Sequence, residues 1–341
     1  RHQILGPGVN LIRSPLCGRN FEYLSEDPFL SSEIASALVQ GIQSENIAAC
    51  VKHYIANNSE TKRTKISAEV SERTLFEIYL KNYCHIINQA DPWGLMVSYN
   101  KINGIQAVEH EKLLHDVLRN QFEFSGHIVT DWGAARNATK GAAGCIKAGL
   151  NLEMPGKLLS KTFTSKNITQ ALEEKRITED DINAVVSPLL RTFFRVGLFE
   201  SPSIEPQKNI DLHEHQIIAQ LIAEEGMVLL KNSEDILPLN IETVKKIAIL
   251  GPNADKIFGK PFHGGSSAVV PPFEITPYEG LKSYVNDKIE ITSDPENADV
   301  VLLVLGLDHG GHFLKTLLFN PEGDTEGSDR SSYQLPKKQI T

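Results

Sequence analysis

Gly126-His127-Ile128-Val129-Thr130-Asp131-Trp132-Gly133 reads as a short apolar strand that stops at a carboxylate and an indole. Ile128 and Val129 are β-branched and suit a buried strand. Such a strand has no ordinary reason to end in a charged group unless that group faces a cleft. Aspartate offers a nucleophile or base there, and Trp132 a flat apolar platform for a sugar ring or an aromatic. In a barrel of alternating strands and helices, chemistry sits at the strands' C-terminal ends. The competing explanation is that Asp131 only N-caps the segment after it.

The same strand-then-helix rhythm runs outward in both directions. Strands are expected at 9–12, 48–54, 95–99 and 150–154, and helices at 28–44, 71–90, 111–122 and 141–148. Repeats of this kind indicate parallel strands joined by crossover helices. A barrel is favoured over an open sheet, because successive strand ends carry polar clusters. No Gly-x-Gly-x-x-Gly turn opens a helix, which weighs against a dinucleotide fold. Helices at 168–175 and 180–196 follow, then a Ser/Pro-rich linker. A second α/β unit begins with a helix at 213–230 and a strand at 246–250. Its apolar stretch 298–305 is expected to be a strand covered on both faces. The expected organisation is a barrel domain over 1–200, a linker at 201–212 and a sandwich domain over 213–341.

Composition narrows the class. At 341 residues the chain is long enough for two domains. Its formal charge of -9 argues against nucleic acid or an anionic membrane as partner. No apolar run approaches the length of a membrane span. Cys17, Cys50, Cys84 and Cys145 show no CxxC pair or metal spacing and read as buried thiols. The chain opens on Arg1-His2-Gln3 without an initiator Met, as if from the middle of a protein. Localisation is therefore left open between cytoplasmic and periplasmic or secreted. Sequons stand at Asn57, Asn137 and Asn167.

The strand ends collect Arg19, Lys52 with His53, Tyr99 with Asn100, and Asp131 with Trp132. Cations, hydrogen-bonding groups and an aromatic around one acid describe a pocket for a polyhydroxylated ligand. One lysine-histidine pair alone would be read as a solvated edge. Hydrolysis of a glycoside also needs a second acid. The candidate lies in the acidic loop Gly323-Asp324-Thr325-Glu326-Gly327-Ser328-Asp329-Arg330, which by composition alone is a solvated turn. A lyase using Lys52 as a Schiff-base amine is the alternative from a different enzyme class.

Several segments, in this order, resemble glycoside hydrolase family 3 in its β-glucosidase-like branch. They are Gly6-Pro7-Gly8-Val9-Asn10, the stretch Gly18-Arg19-Asn20-Phe21-Glu22-Tyr23 running on to Pro28, and Val51-Lys52-His53-Tyr54 with Asn57-Asn58. They continue with Ser98-Tyr99-Asn100-Lys101-Ile102-Asn103-Gly104, Thr130-Asp131-Trp132-Gly133, Leu230-Lys231-Asn232 and Glu326-Gly327-Ser328-Asp329-Arg330. The resemblance implies an α/β protein: a (β/α)8 TIM-like barrel lacking its first strands, then a partial α/β sandwich. On that footing the chain as given is expected to be poorly stable or inactive.

The resemblance further implies a retaining, exo-acting β-glycosidase, foremost a β-glucosidase releasing terminal non-reducing β-D-glucosyl residues through a covalent glycosyl-enzyme. A β-xylosidase of the same family and a non-catalytic carbohydrate-binding protein are the alternatives. Asp131 would be the nucleophile and Glu326 the general acid/base. Arg19, Lys52, His53 and Tyr99 would bind hydroxyls, Trp132 would flank the sugar, and Ser266 or Ser267 would reach the same subsite. Thr130 stands where the family most often has serine, keeping the hydroxyl. The implied ligands are β-linked glucosides or oligosaccharides. No metal or other cofactor, nucleic acid or membrane is called for, and homo-oligomerisation is left open. Arg19, Lys52 and His53 are expected to lower the pKa of Asp131. Glu322 and Asp324 would raise that of Glu326 and Arg330 would oppose them, leaving the net sign open.

Overall fold

The computed structural model describes residues 2–156, 161–200, 212–259, 265–307 and 325–339. The expected linker at 201–212 lies outside them except for Leu212, as do Glu322 to Asp324, His263 and Gly264. The chain divides into two compact units. The first is Arg1–Pro202 with Pro261–Val269 and Leu307–Gln334; the second is Ser203–Lys260 with Val270–Gly306 and Leu335–Thr341.

In the first unit, β1 (Gln3–Ile4), β2 (Ala48–Tyr54), β3 (Gly94–Val97) and β4 (His127–Thr130) form one parallel sheet in that order. Register runs Cys50 to Gly94 to His127 at one end and Val97 to Thr130 at the other. Consecutive strands are therefore neighbours, and crossover helices return the chain between them. This is the construction of a (β/α) barrel wall. Both faces of β3 and β4 are buried. Outside the wall pack the helices Pro28–Ser44, Leu80–Ala90, Lys112–Gln121 and Gly141–Ala148.

Local chemistry explains the helix boundaries. Asp27 accepts the Phe29 N–H at 2.9 Å, with Pro28 at the first helical position. Ser71 accepts from Thr74 N at the head of a helical run whose first turns, Glu72–Thr74 and the wide Leu75–Tyr79, precede Leu80–Ala90. That run ends at Asp91, whose φ of 39° is left-handed. Leu80, Leu95, Ile102, Leu114, Leu118 and Ile128 are buried to 0% exposure and anchor the core.

Two expected strands shrink. Residues 9–12 pair with β2 only through a bridge between Gly8 and Lys52 and the Val9 N–H to Lys52 carbonyl bond of 2.7 Å. The chain then turns away, and the Ile12 N–H bonds the Ser25 carbonyl at 3.1 Å instead. The 150–154 stretch keeps one bridge, Val129 to Leu152, because Pro155-Gly156 ends it. A small sheet that periodicity did not announce joins Ser67–Ala68, Lys101–Ile102 and Ile105–Gln106. Its strands are only two residues long, too short to carry a pattern. The sequon at Asn57 is 1% exposed, so the folded chain offers no acceptor amide there.

The second unit is a three-stranded parallel α/β sheet. Its central strand β5 (Lys246–Leu250) lies between β7 (Val300–Leu303) and β6 (Glu290–Thr292). The helix Pro277–Val285 is capped by a reciprocal Thr276–Glu279 box and packs its Leu281 and Val285 against Ile247 and Ile289. Neither β6 nor this helix was apparent in the sequence. The expectation of a strand covered on both faces fails for β7. Among the described residues it is an edge strand, and Val301, Leu302 and Leu303 are 43–59% exposed. The helix Leu212–Gly226 stops at Gly226, short of the expected 230.

Candidate active site

β4 delivers Asp131 by backbone register. The Asp131 N–H bonds the Val97 carbonyl at 3.0 Å, and the Thr130 hydroxyl accepts the Met154 N–H at 2.9 Å. The retained hydroxyl thus ties β4 to the next segment of the wall. Gly133 then turns at φ 74°, and the Asp131 carboxylate accepts the Trp132 N–H at 2.7 Å. Asp131 is 7% exposed, whereas Trp132, at 49%, presents its ring to the cleft.

Arg19, 1% exposed, approaches from the segment after residue 8. Its Nη1 lies 3.9 Å from Asp131 Oδ2 and 4.0 Å from Glu326 Oε1. Those distances put the two oxygens at most about 8 Å apart, an upper limit that admits the roughly 5 Å of a retaining pair. Glu22 carries the cations in place: it pairs with Arg19 Nε and lies 3.3 Å from Lys52 Nζ. Lys52 is therefore spoken for by Glu22 rather than by Asp131.

His53 sits with Nε2 3.4 Å from Asp131 Oδ2. Asn10 reads the His53 backbone, donating to its carbonyl at 2.9 Å and accepting its N–H at 2.8 Å. With the amide so oriented, its Oδ1 faces His53 Nδ1 at 3.2 Å, while Asp131 Oδ2 faces Nε2, so each ring nitrogen meets an acceptor. Burial and the nearby Arg19, Lys52 and Arg63 hold His53 well below the usual histidine range, so it is neutral at neutral pH.

The expected lowering of Asp131 is not what results. Burial raises its pKa and outweighs Arg19, the Trp132 N–H, Arg63 and the Tyr99 hydroxyl, all of which favour the anion. Lys52 and His53, expected to lower it, are not among the principal causes. Glu326 moves the other way. Burial would raise it, but Arg19, Arg63 and the bonds from Ser266 bring it down to about 2. The Ser266 N–H donates to Oε2 at 2.7 Å, and Arg63 Nη1 to Oε1 at 3.0 Å. Arg330, expected to be its cation, instead bonds the Gln334 carbonyl at 3.1 Å.

Arg63 and Glu60 went unread in the sequence. The Arg63 guanidinium lies 4.4 Å over the Tyr99 ring, and its Nη1 bonds Glu60 Oε2 at 2.7 Å. Glu60 also accepts the Gly327 N–H at 2.7 Å. The legible signal was spacing: Arg19 and Glu22, like Glu60 and Arg63, pair at i, i+3.

A cavity of about 830 Å³ gathers Arg19, Lys52, His53, Tyr99, Asp131, Trp132, Ser266, Ser267 and Glu326. All nine residues expected from the sequence therefore meet, joined by Leu5, Met96, Arg63 and Gly265. The size suits a small ligand. Among the described residues no group of three His, Cys, Asp or Glu side chains could hold a metal ion, and no helix is long and apolar enough to cross a membrane.

Comparison with known proteins places these features. Residues 2–192 match the glycosyl hydrolase family 3 N terminal domain, and residues 227–341 the glycosyl hydrolase family 3 C-terminal domain. The chain is 35% identical to thermostable beta-glucosidase B of Acetivibrio thermocellus, over 98% of its own length and 44% of that protein's. It is equally identical to an exo-alpha-(1->6)-L-arabinopyranosidase of Bifidobacterium breve, over 99% and 44%. The crystal structure of a Bifidobacterium adolescentis beta-glucosidase superposes with a TM-score of 0.82 at 34% identity, covering 99% of this chain and 48% of that one. The chain thus spans less than half the length of these relatives. With both domain models matched in order along its length, the chain belongs to glycosyl hydrolase family 3.

Proposed function

We propose that this chain carries the active site of a retaining, exo-acting β-glycosidase, foremost a β-glucosidase acting on terminal β-D-glucosyl residues. The observation that supports it is the pair of buried carboxylates, Asp131 and Glu326, sharing one guanidinium in a cavity lined for hydroxyls. A binding protein needs the lining but not the two acids. Lys52 stands in an ion pair with Glu22, unlike the desolvated amine of a Schiff-base lyase.

In this reading Asp131 attacks the anomeric carbon while Glu326 protonates the departing oxygen. Glu326 then takes a proton from the water that cleaves the glycosyl-enzyme. Its low pKa suits the second step, in which it acts as base. For the first step the pair must share one proton, carried on Glu326 while Asp131 is ionised. Lys52, Arg19 and the His53 ring offer polar partners to substrate hydroxyls. Trp132 gives the sugar's C–H face a platform.

The test is release of p-nitrophenol from aryl β-D-glucosides by the full-length protein. β-D-xylosides and α-L-arabinopyranosides belong in the panel, the latter because of the arabinopyranosidase relative. Asp131→Ala should cost at least about a thousand-fold in kcat, and azide should restore part of it as the inverted glycosyl azide. Unchanged turnover in that variant, or no cleavage of any glycoside, would sink the proposal.

A further inference from the structure

Glu326 sits on a short turn, with a bridge between Thr325 and Ser328 and Gly327 at φ 93°. A two-residue turn does not fix a side chain by itself. Asp329, three positions on, supplies the missing hold. Its Oδ1 accepts the N–H groups of Gly18 at 3.1 Å and Glu60 at 2.8 Å. Its Oδ2 accepts the Thr61 N–H at 2.9 Å and the hydroxyls of Ser59 at 2.6 Å and Thr61 at 2.7 Å. Five donors on one carboxylate come close to saturating it. The same bonds hold its pKa below the usual carboxylate range against burial.

Around it the turn is seated without slack. The Arg330 N–H bonds the Leu16 carbonyl at 2.8 Å, and the Gly327 N–H bonds Glu60. A Cβ on Gly18 would stand 1.9 Å from the Ser328 carbonyl oxygen, so only glycine allows the approach. Asp329 is not among the residues lining the cavity.

From this geometry we infer that Asp329 is the positioning residue of Glu326, fixing the acid/base carboxylate in the cleft by clamping its turn to residues 18 and 59–61. The inference rests on the glycosidase reading of Glu326. Its consequence is that the protonation step depends on a side chain that never meets substrate. Misplacing a catalytic group by about 1 Å costs on the order of a hundred-fold.

The experiment uses the full-length protein and Asp329→Asn. Whichever way the amide turns, its NH2 confronts at least one backbone N–H that cannot rotate away. We expect kcat/KM on a poor leaving group, an alkyl β-glucoside, to fall about a hundred-fold. On a dinitrophenyl glucoside, which needs little acid help, the fall should be less than about five-fold. In a Glu326→Ala background the substitution should add nothing, as expected when one residue acts only through the other. Gly18→Ala, which pushes on the turn at the Ser328 carbonyl, should repeat the pattern and carries the test if Asp329→Asn does not fold. Hydrogen exchange supplies a readout independent of turnover: the Gly327 and Arg330 amides should lose protection in the variant, while those of 127–131 keep theirs. Equal losses on both substrates, a full further loss on top of Glu326→Ala, or unchanged exchange would overturn the inference. A wild-type protein that cleaves no glycoside would instead overturn the function, leaving the exchange result to judge the clamp.

Discussion

Arg63 Nη1 lies 3.0 Å from Glu326 Oε1, so the carboxylate proposed for proton transfer rests against a cation. Arg19, 4.0 Å from the same oxygen, exerts the larger pull, and together the two cations hold the Glu326 carboxyl below its usual range.

Glu326 should stabilise the fold in a defined pH window. Its folded pKa of about 2 lies below the ordinary 4.5. The stabilisation is full above about pH 4.5 and is lost as the pH falls toward 2, amounting to about 3 kcal/mol at most. Urea unfolding of wild type and Glu326→Gln should therefore differ most at pH 6 and converge near pH 2. A difference that stays constant across that range would contradict the ion-pair origin of the shift.

Arg63→Gln should move Glu326 upward. In the proposed coupled pair Glu326, the group of lower pKa, would supply the acidic limb of kcat/KM, so that limb should shift to higher pH in the variant. Carboxyl carbon NMR on the same protein would follow the group directly. An unmoved limb would assign it to another residue.

His127 predicts acid sensitivity of the opposite chemical kind. It is buried beside Thr192, and burial brings its pKa down to about 4. The unfolded chain takes up the proton first, so stability is full above about pH 6.5 and erodes by about 3 kcal/mol as the pH falls to 4. His127→Gln should flatten that slope in denaturant titrations. An equally steep slope would show that other groups carry it.

Thr130 separates hydroxyl from methyl. Thr130→Val leaves the half-buried Met154 N–H without its acceptor and should cost about 1–3 kcal/mol, while Thr130→Ser keeps the bond. Equal losses in chemical denaturation would mean that packing, not the bond, matters there.

Core and surface should respond differently. Leu118→Ala removes a side chain of 0% exposure and should cost about 2–5 kcal/mol. Phe194→Ser, at a position 62% exposed, should stay within about 0.5 kcal/mol. Reversal of that order in urea midpoints would place the core elsewhere.

Much of the barrel wall was legible because its helices and strands are long enough to carry a period. Pro28–Ser44, Ala48–Tyr54 and Gly141–Ala148 begin and end where capping residues, apolar runs and glycines say they should. The two-residue strands at 67–68 and 101–102 had no period to read. β7 misled because an apolar run announces burial whether or not a covering layer is present among the described residues. At the site, Asp131 announced itself by ending a strand. Glu326 did not, since nothing local distinguishes it from Asp329 on the same turn; only the family resemblance singled it out. The charge states were the least legible. Which cation meets which acid depended on Glu22 and Glu60, and the balance between burial and ion pairing depends on depth, which no motif encodes.

The two carboxylates are held by unlike means. Asp131 hangs from a strand in register with its neighbour, so releasing it means opening the sheet. Glu326 hangs from a turn fastened by side chains, and such segments open well below the global unfolding temperature. Gentle heating should thus separate the two halves of the reaction. The warmed protein would still be labelled at Asp131 by an activated fluorosugar, yet would already have lost turnover of unactivated glucosides.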